Sequence, residues 1–324
     1  MSVNRRTLLV AAAGTALAAC APTTPDRPTS APPTSPSASG APSASSAPAA
    51  GGTASVAPVD PADPPAPTPT PTPTPSATPT PTPTAASTFP TRAAIVARYA
   101  GATPTAWGLE VPGVLTTVPD VPSPATALTF DACGGSGGSG YDAALIDTLR
   151  AHGVPATLFL NARWIDANPA LFEALAADPL FEIANHGTVH RPLSVTGRSA
   201  YGIPGTRDAG EVYDEIAGNR EKLTALLGRP PRFFRSGTAH YDDVATRIAA
   251  DLGQLVAGFA TNADGGATLN AAQVNRELVG SPPGAIVIGH MNHPASGTAR
   301  GLATALPTLL AAGRTFTRLS DAFR

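Results

Sequence analysis

Residues 181–190 read Phe181-Glu182-Ile183-Ala184-Asn185-His186-Gly187-Thr188-Val189-His190, a short apolar run followed at once by two histidines with three residues between them. The run has the length and composition of a buried strand, so both imidazoles fall just past its carboxyl end. A His-x3-His spacing lets the two rings turn toward one point where the backbone coils, and neutral imidazole is the commonest protein ligand of zinc. Runs of the same kind recur at residues 127–130, 156–160, 232–235, 255–259, 285–288 and 315–319. Helical patterns separate most of them. Residues 141–152 place Leu145, Ile146 and Leu149 on one face, and residues 208–227 open with a capping-box pair, Asp208 and Glu211, and stop at Gly228. Further helices are expected near 169–177, 242–252, 271–278 and 299–311. This alternation predicts an α/β fold of about seven parallel strands closed around a core. Sites in such folds gather at the carboxyl ends of strands, which singles out Asp131, Asn161, His186, Ser236, the 262–264 loop and His290.

Five segments resemble motifs of the polysaccharide deacetylase family, the NodB-type carbohydrate esterases, from about Pro124 onward. Thr129-Phe130-Asp131 is similar to the motif that holds the general base. Asn185-His186-Gly-Thr-Val-His190 resembles the motif whose histidines bind the metal. Phe234-Arg235-Ser-Gly resembles the one whose arginine orients the base, Asn262-Ala-Asp264 stands where an aspartate holds the catalytic histidine, and Ile286-Val-Ile-Gly-His290 resembles the motif of the general acid. The resemblance implies a NodB-like distorted (β/α) barrel. It also implies a divalent metal, zinc by expectation, on His186 and His190, with Asp131, Arg235, Asp264 and His290 catalytic. The reaction implied is hydrolysis of a linear amide C–N bond that releases acetate from an N-acetylated glycan.

That chemistry also follows from the side chains themselves. A metal held by two imidazoles acidifies water from a pKa of ~16 to ~7 and polarises a carbonyl. Asp131 could then accept the water's proton, and His290, its tautomer fixed by a carboxylate such as Asp264, could protonate the leaving amine.

The departures are informative. The family places a second aspartate, a metal ligand, directly after the base, and here that position is Ala132. Strand alternation puts Cys133 on the same side as Asp131, so its thiolate is a candidate third ligand. Three alternatives stand beside it: Cys133 as a small buried apolar residue, Asp131 as the ligand, or water in the shell. The third motif continues as Ser236-Gly-Thr-Ala-His240 instead of the family's Pro-Pro-Tyr/Phe-Gly. Residues 134–140, with five glycines in seven, read as a flexible lip or a plain loop. His152 and the pair Asp242 and Asp243 read as helix-end residues, His293 as lining or packing, and His240 and Trp164 as pocket walls.

Residues 1–20 have a basic start ending in Arg5-Arg6, an apolar run, and Leu17-Ala18-Ala19-Cys20. This resembles a bacterial lipoprotein signal, which implies lipid on Cys20 and a membrane partner through that anchor. Residues 21–87 are almost wholly Pro, Thr, Ser, Ala and Gly, a composition too poor in large apolar groups to fold. Extended at ~3.1 Å per residue, such a linker reaches on the order of 200 Å. Residues 88–324 are left as the deacetylase-like domain. With Cys20 lipidated, Cys133 is the only other cysteine and no intramolecular disulfide can form. A net charge of −2 with dispersed basic residues gives no case for nucleic acid, and the domain is expected to be a monomer.

Three functional readings follow. The first is a metal-dependent deacetylase on the outer face of the bacterial cytoplasmic membrane, acting on a wall polysaccharide, with peptidoglycan favoured by the anchor and spacer. The second, motivated by Ala132, is a catalytically decayed deacetylase-fold module that binds glycan without turnover. A third, glycosidase chemistry by Asp242 and Asp243, is disfavoured because adjacent carboxyls cannot stand ~5 Å or more apart across a cleft.

Overall fold

The computed structural model describes residues 89–119 and 125–324. The leader, Cys20 and the linker lie outside the described residues. Among those described, no helix is long and apolar enough to cross a membrane.

The strands are β1 (Trp107–Gly108), β2 (Val114–Leu115), β3 (Ala127–Ala132), β4 (Ala156–Leu160), β5 (Phe181–Asn185), β6 (Phe233–Phe234), β7 (Tyr241–Asp242), β8 (Leu255–Ala257), β9 (Thr261–Asn262) and β10 (Ile286–His290). The helices are α1 (Arg92–Arg98), α2 (Ala143–Ala151), α3 (Ala162–Ala167), α4 (Pro169–Ala176), α5 (Ala209–Leu227), α6 (Asp243–Asp251), α7 (Ala271–Gly280), α8 (Thr298–Ala311) and α9 (Leu319–Ala322).

One parallel sheet runs in the order β2-β8-β6-β5-β4-β3-β10-β9, and β1 pairs antiparallel with β7 beside it. Every residue of β3, β4, β5 and β10 is buried, as expected where helices or a barrel interior cover both faces. Residues 255–262 pair with β6 and β2 at one end and with β10 at the other, which curls the sheet into a half-barrel and draws its edges together. Gly258 permits this bend, since a Cβ there would stand 2.5 Å from Val114 Cγ1. Just past β2, Ile286 donates to the Thr116 carbonyl at 3.0 Å and Val118 to that of Gly284 at 2.8 Å.

Alternation sorts the strand residues. Phe159, Ala184, Phe233, Ala257, Ala127 and Ile286 share one apolar cluster inside the curl, plugged from below by Leu319 and Phe323. Leu128, Phe130, Ala132, Leu158, Leu160 and Ile183 pack outward into a second cluster with α2, α4, α7 and α8. Inward-facing Asp131 and outward-facing Ala132 therefore part company, as strand geometry requires.

The run at 315–319 is not a strand. It meets β3's approach only at a bridge between Thr126 and Phe316, after which Arg318 binds Asp321 and the Pro179 carbonyl and turns the chain into α9. The box expected at Asp208 is half formed. Its carboxylate accepts from Glu211 N at 2.9 Å, but Glu211 reaches Arg207 N and Arg191, while the reciprocal box sits at Asn270 and Gln273 of α7.

Candidate active site

Parallel register brings the polar groups to one level. His290 of β10 pairs with Asp131 of β3, and Asn185 of β5 pairs with Phe234 of β6, so His186 and Arg235 lie one residue beyond that pair. All four groups are buried: Asp131 is 3% exposed, His186 1%, Arg235 0% and His290 8%.

Arg235 organises the centre. Its Nη1 donates to Asp131 Oδ1 at 2.7 Å, Nε to the Ala257 carbonyl at 3.0 Å and Nη2 to the Gly258 carbonyl at 2.9 Å, and the guanidinium lies 4.2 Å from the Phe159 ring centroid. A buried charge is tolerable only with such pairing. The other carboxylate oxygen of Asp131 is 3.6 Å from His186 Nε2.

His186 donates through Nδ1 to the Arg235 carbonyl at 3.0 Å, which leaves Nε2 as the ligating nitrogen. That nitrogen is 3.8 Å from Cys133 Sγ. His190, held at φ 66°, brings its ring to 4.9 Å from the His186 ring, edge to face. Its Nε2 is buried with no hydrogen-bond partner. The ligand atoms of Cys133, His186 and His190 all lie within 4.8 Å of one another. Burial drives both imidazoles below their ordinary value. For His186 it overrides the pull of Asp131, and for His190 repulsion from His186 and Arg163 adds to it. Neutral imidazoles and one thiol are a donor set that suits zinc, and the unsatisfied His190 nitrogen is the atom such an ion would satisfy.

Across the site, Asp264 Oδ1 accepts from His290 Nδ1 at 2.9 Å, while Oδ2 accepts from His290 N at 2.7 Å and from Thr298 Oγ1 at 3.0 Å. Burial pushes Asp264 up, but the charge of His290 and these donors outweigh it and hold the carboxyl below its ordinary value. With Nδ1–H committed to Asp264, Nε2 of His290 is the nitrogen left to gain or give a proton.

The sequence-predicted residues Asp131, His186, His190, Arg235, Asp264 and His290 thus converge on one buried layer, with Cys133 among them. The remaining expectations divide. Asp142 and Asp242 cap α2 and α6, His152 caps α2 at its other end, and Asp243 accepts from Thr105 N and Ala106 N. His240 is half-buried between Trp107 and Tyr201, 5.8 and 5.0 Å away. Trp164 is wholly buried, so it supports the site from behind and is not a wall. Residues 134–140 are a fastened turn, not a flexible lip: Trp164 Nε1 donates to the Gly140 carbonyl at 2.8 Å, Asn168 Nδ2 to that of Ser139 and Asn292 Nδ2 to that of Gly138.

Three supports escaped the sequence reading. Glu215 of α5 accepts from Val189 N and Arg191 N, gripping the backbone on either side of His190. Burial pushes its carboxyl up to about 7 against the pull of those amides. Asn219 donates to the Leu160 carbonyl and to Asn185 Oδ1. Gly237 lets the loop after Arg235 lie against His190, whose ring carbon Cγ would stand 2.5 Å from a Cβ there. A signal for the first two existed: Glu215 and Asn219 share the buried stripe of α5 with Val212, Ile216 and Leu223.

The half-barrel thus carries a buried Asp–Arg pair, an Asp–His pair and a histidine cluster. Residues 119–257 match the family model described as polysaccharide deacetylase. The chain is 26% identical over 211 residues to the peptidoglycan-N-acetylglucosamine deacetylase PgdA of Listeria monocytogenes, an alignment that covers 64% of this chain and 41% of that protein. It therefore spans about two fifths of the length of the curated relatives it matches. Among solved structures, a CE4 family pseudoenzyme from Bacillus anthracis superposes with a TM-score of 0.53 at 20% identity, covering 63% of this chain and 66% of that one. Bacillus subtilis PdaA, a family 4 carbohydrate esterase, gives 0.53 at 19% identity, covering 65% and 85%. At these identities the likeness establishes the fold.

Proposed function

We propose that the protein is a metal-dependent deacetylase that removes N-acetyl groups from a cell-wall glycan, with peptidoglycan as the substrate class. The observation that carries this reading is the single buried layer in which Asp131 held by Arg235, His290 held by Asp264, and the facing imidazoles of His186 and His190 meet. The activity for which the Listeria relative is named, peptidoglycan-N-acetylglucosamine deacetylase, supports the choice of substrate. So do the lipoprotein-like leader ending at Cys20 and the Pro/Thr-rich stretch after it, which, as an anchor and spacer, would aim the domain from the outer membrane face into the wall. The domain is taken to act as a monomer.

A divalent metal on His186 and His190, when bound, supplies a Lewis acid for water and carbonyl. Asp131 keeps one oxygen on Arg235, so the other takes the proton of the attacking water on the side where His186 stands. Arg235 also fixes the rotamer of Asp131, because three of its donors are committed at once. His290 gives its Nε2 proton to the leaving amine while Asp264 steadies the imidazolium.

Acetate release from N-acetylglucosamine oligomers and from peptidoglycan tests the proposal. Release that stops with chelator, returns with zinc and is lost in His186→Ala is expected; release indifferent to both would overturn it. Ala132, which stands where the family keeps a ligating carboxylate, favours one second reading, a glycan-binding module without turnover. Glycan binding with no acetate release from the metal-loaded protein would establish that reading instead.

A further inference from the structure

The family's ligand position after the base is closed in this chain, because Ala132 packs outward in the apolar cluster with Leu128, Phe130 and Trp164 and is fully buried there. A carboxylate at that point would be driven into apolar surroundings with no partner. The next inward position is residue 133. Its sulfur is 3.8 Å from His186 Nε2 and belongs, with His190, to a group of ligand atoms within 4.8 Å. Bonds of about 2.3 Å to sulfur and 2.0–2.1 Å to nitrogen at tetrahedral angles would put the sulfur about 3.5 Å from a ligand nitrogen, close to the distance found.

A further observation points to an occupant. The buried ring of His190 belongs to this cluster, and its Nε2 has no hydrogen-bond partner. The main chain around Cys133 is also fixed: Arg163 Nη2 donates to its carbonyl at 3.3 Å, and Gly134 follows at φ +67°, where a Cβ would lie 2.5 Å from Trp164 N. The thiol is therefore held in place toward the imidazoles.

We infer that Cys133 is a metal ligand, completing a thiolate–imidazole–imidazole site in place of the expected carboxylate. The inference rests on the deacetylase reading for the metal's purpose, but its own test does not depend on turnover. A thiolate carries the same single negative charge as the carboxylate it replaces, so the charge at the metal is conserved while the donor becomes soft. Asp131 is left whole for proton transfer, with no share in the ligand set. The site then favours zinc and cobalt over hard ions such as magnesium.

The experiment is cobalt(II) titration of the full chain, run beside a Cys20→Ser control so that the only other thiol is accounted for. The expected result is a near-ultraviolet sulfur-to-cobalt charge-transfer band at one equivalent. It should vanish in Cys133→Ser, with affinity weakened by more than about 10-fold. Cys133→Asp should bind cobalt again without the band, which shows that the fold survives. Cobalt binding with no such band, or a band that persists in Cys133→Ser, would overturn the inference. Acetate release measured on the same samples separates the two claims: a band without turnover sinks the deacetylase reading alone, and turnover without a band sinks this one alone.

Discussion

Replacing Arg235 by Met keeps roughly the length of the side chain and removes its charge, which exposes how much of the site rests on one ion pair. Arg235 is wholly buried, binds Asp131 at 2.7 Å, and satisfies the carbonyls of Ala257 and Gly258. Removing one member of a buried pair costs about 3–5 kcal/mol, chiefly because the other charge is stranded. Two carbonyls lose donors as well, so the upper part of that range applies. Against a domain stability of about 5–15 kcal/mol this is a large fraction. Urea unfolding of Arg235→Met should show the loss, and adding Asp131→Asn should restore at least about 1 kcal/mol by removing the stranded charge. A cost below about 1 kcal/mol, or strict additivity of the two substitutions, would refute the account of Arg235 as the clamp on Asp131.

Two other outcomes follow from the geometry. Glu215 has its carboxyl raised to about 7 by burial, so the folded state holds a proton that the unfolded chain has released. Its contribution is therefore fully present below pH ~4.5 and lost as pH rises through 7, on the order of 3 kcal/mol. Glu215→Gln should flatten the stability profile across that window, as read by thermal melts from pH 4 to 8; an unchanged slope would contradict it. Gly237→Ala would press a methyl against the His190 ring and should weaken zinc binding more than Gly280→Ala, where a Cβ meets nothing within 4 Å and the backbone is not left-handed. Equal effects on zinc affinity, measured by competition with a chromophoric chelator, would show that the 237 loop does not position His190.

Much of this molecule is legible in its sequence because the strands that bear the site are buried on both faces. Residues 156–160 and 181–184 are mostly apolar, broken only by Thr157 and Glu182, and the asparagine that follows each, Asn161 or Asn185, marks a strand terminus. The run at 315–319 has the same composition but finds a single residue to pair with, Thr126, since α9 takes up the chain. Composition cannot reveal whether a neighbour is present. The missed pieces are short: β2 and β9 have two residues each, and their role comes from pairing across the sheet, with a bend at Gly258. In the candidate site, the residues proposed to do chemistry stood at strand ends and could be found there. Glu215 and Gly237 act by holding those residues from behind. Their signals, a carboxylate in an apolar helix stripe and one glycine among many, become specific only once the packing is known.

The central claim is that the layer of Asp131, His186, His190 and His290 hydrolyses an N-acetyl amide with Asp131 as the base. The most direct measurement is the rate of acetate release from peptidoglycan by wild type and Asp131→Asn, at equal, measured zinc content. A loss on the order of 10²–10⁴-fold with zinc retained is the predicted result, and equal rates at equal zinc would contradict it.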